Sequence, residues 1–159
     1  DTTFDDLNTP LVVNALNLND ETVEYLETGD VVEAVHASMA IPGVFQPVKR
    51  DGAYLLDAGH VNPLPVDPLP ESDKIIISDV TAAKDDIDED TRFHQVIKEF
   101  FNFIQRRQQT TQLSELRDKQ GNATITHITP DTKEWNILSF HDLQEIVERG
   151  QSAGHDALQ

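Results

Sequence analysis

The sequence predicts an α/β protein, and three patterns support this class. The continuous apolar run KIIISDV, residues 74–80, is typical of a strand covered on both faces in a parallel sheet. Shorter segments with alternating apolar side chains predict further strands. Residues 91–119 place apolar side chains three and four positions apart, which indicates an amphipathic helix. Because nothing resembles a linker or an internal repeat, we expect a single α/β unit over residues 1–159.

The chain begins with a predicted hairpin and a helix. Residues 11–18 and 21–28 alternate in hydrophobicity and are joined by a polar turn, so we expect two antiparallel strands. Asp30 is suited to cap a helix over residues 31–39, because its carboxylate can accept from the first backbone N–H groups. The predicted apolar side of this helix comprises Val31, Val32, Val35 and Met39.

Short extended segments and a proline-rich loop follow. Residues 45–48 are predicted to be extended, a turn follows at residues 50–52, and residues 53–57 form a short strand. Residues 60–72 contain four of the eight prolines, so they are neither a regular helix nor an internal strand. We expect an ordered loop that crosses the end of a sheet.

The second half contains the longest predicted helix. Acidic residues 82–91 form a solvated connection into the helix of residues 91–119, and residues 106–112 are polar all round, so core contact should weaken there. Residues 123–130 alternate as another strand, and an amphipathic helix ends the chain. The predicted core side of the long helix comprises Phe93, Val96, Ile97, Phe100, Phe101 and Ile104, and that of the last helix Leu143, Ile146 and Val147.

Composition excludes several classes of function. The 29 acidic and 12 basic side chains give a net charge of −17, which excludes a nucleic-acid partner and disfavours anionic lipid. This acidity is typical either of a soluble protein with solvated faces or of a halophilic source. Without cysteine there are no disulfides, thiolate metal sites or cysteine nucleophiles, so we expect a cytoplasmic protein. No apolar run approaches the roughly 18 to 20 residues that span a bilayer.

Asp57 is the first candidate for chemistry. It ends the predicted strand of residues 53–57 and precedes two small residues, Ala58 and Gly59, of which Gly59 permits a positive φ. A carboxylate held at a strand end can accept a proton from a serine hydroxyl. By spacing alone, Asp57 can equally be an aspartate that accepts from backbone amides in its own turn.

A family resemblance bears on this choice. The segments FDDLNTPLVVNALNL, GDVVEAVHASMAIPGVFQPV and GAYLLDAGHVNPLPV resemble consecutive segments of the patatin-like phospholipases, in order and at natural spacing. The closing FHDLQEIVERGQSAGHDAL is similar to the terminal helix of bacterial members. The resemblance implies a three-layer sheet-and-helix fold, a Ser-Asp dyad, an oxyanion hole built from a glycine-rich turn, and hydrolysis of acyl esters. The substrate class would be phospholipids or related lipid esters.

The resemblance transfers one catalytic residue to this chain. Asp57 matches the family's aspartate, while Ala58 stands where the family usually has glycine. If residue 58 needed a positive φ, alanine would be strained there. Since no G-x-S-x-G occurs, we expect these residues to be the C-terminal portion of the domain. The nucleophile and the oxyanion glycines would lie in the upstream half of the same polypeptide, and this portion alone would be inactive. The alternative is a non-catalytic pseudoenzyme or regulatory binding module.

Other candidates are weaker. Ser38 lacks the flanking glycines of a nucleophile elbow, so its small neighbours indicate close helix packing. His60 lies too near Asp57 in sequence to sit between an acid and a nucleophile, and the remaining histidines lack metal-ligand spacing. The acidic run of residues 85–90 fails as a calcium loop. We expect no cofactor and no metal, a location peripheral to the membrane at most, and a homodimer through an open sheet edge.

Overall fold

A computed structural model describes residues 2–81, 84, 86–135 and 139–159 of the chain. The predicted α/β class is confirmed: strands and helices alternate along the chain. The elements are β1 Val13–Asn17, β2 Thr22–Leu26, α1 Val31–Ser38, β3 Val48–Arg50, β4 Ala53–Leu56, β5 Lys74–Ser78, α2 Phe93–Gln120, β6 Thr124–Ile128 and α3 Leu143–Ala157, with short 3-10 helices at Phe4–Asp6 and Phe140–Asp142. Parts of the predicted acidic connection, residues 82, 83 and 85, lie outside the described residues.

The chain folds into two compact units. The first unit consists of residues 1–69 and 107–113, and the second of residues 70–106 and 114–159. The prediction that all 159 residues belong to one patatin-like domain concerns a longer polypeptide and stays a prediction.

The first unit is built on a four-stranded antiparallel sheet of order β2-β1-β4-β3. The predicted hairpin is confirmed, with Val13 opposite Leu26. In β4, Leu55 lies opposite Val48 of β3 and Asn17 of β1. The strand β4 therefore has a hydrogen-bonded neighbour on each side, which makes its end a rigid point of attachment.

Helix α1 covers this sheet with its small residues. Asp30 caps it as predicted, since its Oδ1 accepts from the Glu33 N–H at 2.8 Å. The predicted apolar side is wrong except at Val31, which packs against the core, because Val32 is 69% exposed while Ala34 is fully buried. Alanine lets the helix approach the sheet closely where β1 also presents an alanine, and larger valines would hold it away. The buried cluster comprises Phe4, Ala15, Leu26, Ala34, Ala37 and Leu55.

The predicted extended segment 45–48 is wrong at its first residue, Phe45. Val44 and Phe45 donate their N–H groups to the Ile41 carbonyl at 3.1 and 3.0 Å, which closes a turn after α1. The strand β3 begins only at Val48. The predicted loop of residues 60–72 is confirmed, since it contains no helix or strand.

The second unit contains a parallel pair of strands. The prediction of parallel pairing for β5 is confirmed, with Ile75 opposite Ile125 of β6. The prediction that both faces of β5 are covered is wrong: Ile77 is buried but Ile76 is 60% exposed. A central strand needs a neighbouring strand on each side and cover on each face. Among the described residues, β5 has a neighbouring strand on one side and cover on one face.

Helix α2 differs most from its prediction. It forms over nearly the predicted residues and ends at Gly121, whose φ is 56°. Its predicted core side is exposed except for the partly buried Ile104, whereas Glu99 and Asn102 are buried. Contact is also not lost in the polar middle, because Gln112 donates to the Asn62 side chain and accepts from the Leu64 N–H at 2.9 Å.

Helix α3 forms as predicted, but it contributes little to a core. Of its three predicted core residues, only Ile146 is partly buried, and Leu143 and Val147 are exposed. None of the helices that the structure describes is long and apolar enough to cross a membrane.

Candidate active site

Asp57 lies directly after β4, at the predicted strand end. Its backbone N–H donates to the Ala40 carbonyl at 3.0 Å, which ties it to the segment that leaves α1. The residue is partly buried. Two strands and the end of a helix thus fix the backbone from which this carboxylate projects.

The two oxygens of the Asp57 carboxylate have different surroundings. Oδ1 accepts from the Gly59 N–H at 2.7 Å, which closes a turn of the side chain onto its own backbone. No described residue donates a hydrogen bond to Oδ2. An ionised carboxylate has acceptor capacity on both oxygens, so Oδ2 can receive a further donor while Oδ1 holds the orientation.

The small residues after Asp57 leave room for its carboxylate, and they do not adopt a left-handed backbone. The positive φ that Gly59 permits is not adopted, and Ala58 does not have one either. A Cβ at Gly59 would instead lie 3.0 Å from Asp57 Oδ1. Ala58 is fully buried at an ordinary φ, so the strain that alanine would suffer at a positive φ does not arise.

A side-chain network holds the loop that follows. Asn62, which is buried, donates from Nδ2 to the Tyr25 hydroxyl at 2.9 Å and accepts from the Gln112 side chain. The Tyr25 hydroxyl in turn donates to Asp67 Oδ2 at 2.9 Å. Asn62 also begins its own turn, because its N–H donates to the Ala58 carbonyl at 2.7 Å. The residues next to Asp57 are therefore anchored to β2 and to α2.

Sequence reasoning missed this network. Its one local signal in the sequence is a polar residue, Asn62, inside the proline-rich segment HVNPLP. Proline lacks an N–H, so a loop of this kind depends on side chains to satisfy its remaining polar groups. Burial raises the pKa of Tyr25 above its ordinary value of 10.0, with a smaller contribution in the same direction from Asp67.

The other sequence candidates do not assemble into a site. Ser38 ends α1 between the buried Ala37 and Ala40, which supports close packing as the reason for the small residues. In the second unit, His127 Nε2 lies 3.0 Å from Asp79 Oδ2 and joins the two parallel strands at their carboxyl ends. Among the described residues, no group of three or more histidine, aspartate or glutamate side chains could hold a metal ion.

A cavity of about 400 Å³ lies elsewhere in the first unit. Its wall is polar and includes Asp20, Glu24, Arg50 and Asp51, but not Asp57. Carboxylates on the wall disfavour an acyl chain, because their desolvation would cost more than the chain would gain. We therefore assign no substrate to this cavity.

Comparison with known proteins identifies related sequences. Residues 1–70, which include Asp57, match the family model described as patatin-like phospholipase. The lysophospholipase NTE1 of Cryptococcus neoformans is 27% identical over 176 aligned residues, which cover 99% of this chain and 11% of that protein. The lysophospholipase NTE1 of Kluyveromyces lactis is 24% identical over 92% of this chain and 12% of its own length.

One shorter alignment has a higher sequence identity. An uncharacterized NTE family protein of Mycobacterium tuberculosis is 42% identical over 45 residues, which are 28% of this chain and 12% of that protein. The chain thus spans about a tenth of the length of the curated relatives it matches.

Proposed function

We propose that this chain supplies the aspartate of a Ser-Asp dyad in a lipid acyl-ester hydrolase, and the match of residues 1–70 to the patatin-like phospholipase model supports this. The observation that carries this proposal is the geometry of Asp57. One carboxylate oxygen is held by the Gly59 N–H, and the other has no donor among the described residues. A general base needs this combination, because it must be oriented and still able to accept a proton.

In the proposed reaction, the serine lies in a part of the polypeptide upstream of residue 1. Asp57 accepts the proton of the serine hydroxyl as the serine oxygen attacks the ester carbonyl carbon. Backbone N–H groups of an upstream glycine-rich turn stabilise the oxyanion. Asp57 then returns the proton to the departing alcohol oxygen, and an acyl-serine remains.

The second half of the reaction uses the same groups. Asp57 accepts a proton from water, the resulting hydroxide oxygen attacks the acyl carbon, and the proton passes back to the serine oxygen. A fatty acid leaves, and both side chains return to their starting states. These 159 residues alone lack the nucleophile elbow, so we expect them to be inactive without the upstream half.

The competing proposal, a pseudoenzyme or binding module, drew support from Ala58. That support weakens because Ala58 sits at an ordinary φ, where alanine needs no compensation. The sequence upstream of Asp1 discriminates between the two proposals. An intact G-x-S-x-G elbow favours catalysis, and an elbow without serine favours binding.

The direct test is Asp57→Asn in the longer polypeptide. Asparagine keeps an oxygen that can accept from the Gly59 N–H, so the turn should survive while the base is lost. We expect kcat for fatty-acid release from lysophosphatidylcholine to fall by about 10²-fold or more, with an unchanged thermal midpoint.

Asp51→Asn is the matched control. Asp51 precedes the other end of β4, its side chain is 95% exposed, and its positive φ of 48° suits asparagine equally well. This variant should hydrolyse at the original rate. Retained activity in Asp57→Asn, or an equal loss in Asp51→Asn, would end the assignment of Asp57 as the base.

A further inference from the structure

One peptide group orients the Asp57 carboxylate. The Ala58 carbonyl and the Gly59 N–H are the two ends of a single planar, trans peptide unit, so they point in opposite directions. The N–H end donates to Asp57 Oδ1 at 2.7 Å. Because the unit is rigid, any change in the direction of its carbonyl also changes the direction of the N–H that holds the carboxylate.

The loop that follows holds the carbonyl end of this peptide group. The Ala58 carbonyl accepts from the Asn62 N–H at 2.7 Å and from the Val61 N–H at 2.9 Å. Ala58 is fully buried, so these backbone donors take the place of water at its carbonyl. The orientation of Asp57 therefore depends on the positions of Val61 and Asn62.

Asn62 is the more firmly held of these two donors. It is 7% exposed, whereas Val61 is 41% exposed. Each polar atom of Asn62 makes a hydrogen bond. Besides the bond from its N–H, its carbonyl accepts from Asn14 Nδ2 at 2.8 Å, its Nδ2 donates to the Tyr25 hydroxyl at 2.9 Å, and its Oδ1 accepts from the Gln112 side chain.

Strand register places two of these partners side by side. Asn14 of β1 lies directly opposite Tyr25 of β2, and residues paired in this way present their side chains on the same face of the sheet. Their neighbours Ala15 and Leu26 belong to the buried cluster beneath α1, so Asn14 and Tyr25 lie on the other face. The sheet thus holds both the main chain and the side chain of Asn62.

We propose that Asn62 is a positioning residue for the candidate base, because it fixes the Ala58–Gly59 peptide group that orients Asp57. This inference rests on the proposed function, since it concerns the base of that reaction. Without the two side-chain hydrogen bonds of Asn62, its N–H can shift together with the loop. The peptide group then turns, and Asp57 Oδ1 loses the donor that holds it.

The test is hydrolysis of lysophosphatidylcholine by Asn62→Ala in the longer polypeptide. We expect kcat to fall by about fivefold to tenfold, because a base displaced by a fraction of an ångström is poorly placed for proton transfer. KM should stay within about twofold, because the lost interaction acts on the transition state rather than on substrate binding. If Asn62→Ala does not fold, Tyr25→Phe removes only one of the two side-chain bonds and should lower kcat by a smaller factor at an unchanged KM.

Gln120→Ala is the matched control. Gln120 is also a buried amide that makes two hydrogen bonds to backbone groups, since it donates to the Pro70 carbonyl at 2.9 Å and accepts from the Ser72 N–H at 3.0 Å. Its truncation should cost a similar amount of stability and leave the Ala58–Gly59 peptide group in place. At a temperature where both variants are folded, Gln120→Ala should therefore keep the original kcat.

A double-mutant cycle tests whether Asn62 acts through Asp57. Once Asp57→Asn has removed the base, Asn62→Ala should lower the residual kcat by less than about twofold. Three results would overturn the inference alone: an unchanged kcat in Asn62→Ala, or in Tyr25→Phe where that variant replaces it, an equal fall in Gln120→Ala, and a full further loss in the Asp57→Asn background. Retained activity in Asp57→Asn would overturn the hydrolase proposal together with this one, so the two failures are distinguishable.

Discussion

Gly59→Ala tests whether the turn after β4 positions the candidate base. The added Cβ would lie 3.0 Å from Asp57 Oδ1, and an ordinary contact begins at 3.4 Å, so the carboxylate must move by about 0.4 Å. A misplacement of about 1 Å in an active site can cost about 10²-fold in rate. Scaled to the smaller shift, kcat of the longer polypeptide should fall by about fivefold to tenfold.

The stability of Gly59→Ala should not fall together with its kcat. Alanine at an ordinary φ reduces the entropy of the unfolded chain by about 0.4–1 kcal/mol, which offsets part of the contact strain. The free energy of unfolding, measured in urea, should therefore change by less than about 1 kcal/mol. Gly150→Ala is the control, because among the described residues its added Cβ in α3 would have no neighbour within 4 Å besides adjacent residues and the backbone of its own helix. It should stabilise the helix by about 0.5–1 kcal/mol without changing kcat. An unchanged rate in Gly59→Ala, or an equal fall in Gly150→Ala, would refute the reasoning.

Three further outcomes are expected. Asn62→Ala should lower the free energy of unfolding in urea by about 1–3 kcal/mol, because it removes the hydrogen bonds of Asn62 to the Tyr25 hydroxyl and the Gln112 amide. Asn8 is exposed, and an equal change in Asn8→Ala would contradict the network. The raised pKa of Tyr25 means that its protonated form stabilises the fold below pH 10.0 and that this contribution is lost as the pH rises through the raised pKa. Tyr25→Phe should therefore lose less stability than the original chain as the pH rises from 10.0 to about pH 11, and parallel losses would contradict the raised pKa of Tyr25. Size-exclusion chromatography with light scattering should show a dimer of the 159-residue chain, because β2 and β3 end one sheet and β5 and β6 end the other; a monomer at every concentration would contradict open-edge pairing.

The position of the candidate base was predictable, and its environment was not. A short apolar strand followed by Asp57 and two small residues can be recognised from neighbouring letters alone. The Gly59 contact could not, since it depends on where the Asp57 side chain turns in space. The anchoring of the next loop by Tyr25, Asn62 and Gln112 joins residues about 40 to 50 positions apart, which local patterns do not encode.

The sequence by itself determined the elements, because turns, caps and periodicity act over a few neighbouring residues. Asp30 caps α1, Gly121 ends α2, and the hairpin of β1 and β2 lies within the predicted segments. Only the tertiary structure decided which face of each element is covered. Helical periodicity groups apolar residues on one side but carries no information about what lies against that side. Hence the alanines of α1 are buried against β1, whereas the apolar residues in the first half of α2 are exposed.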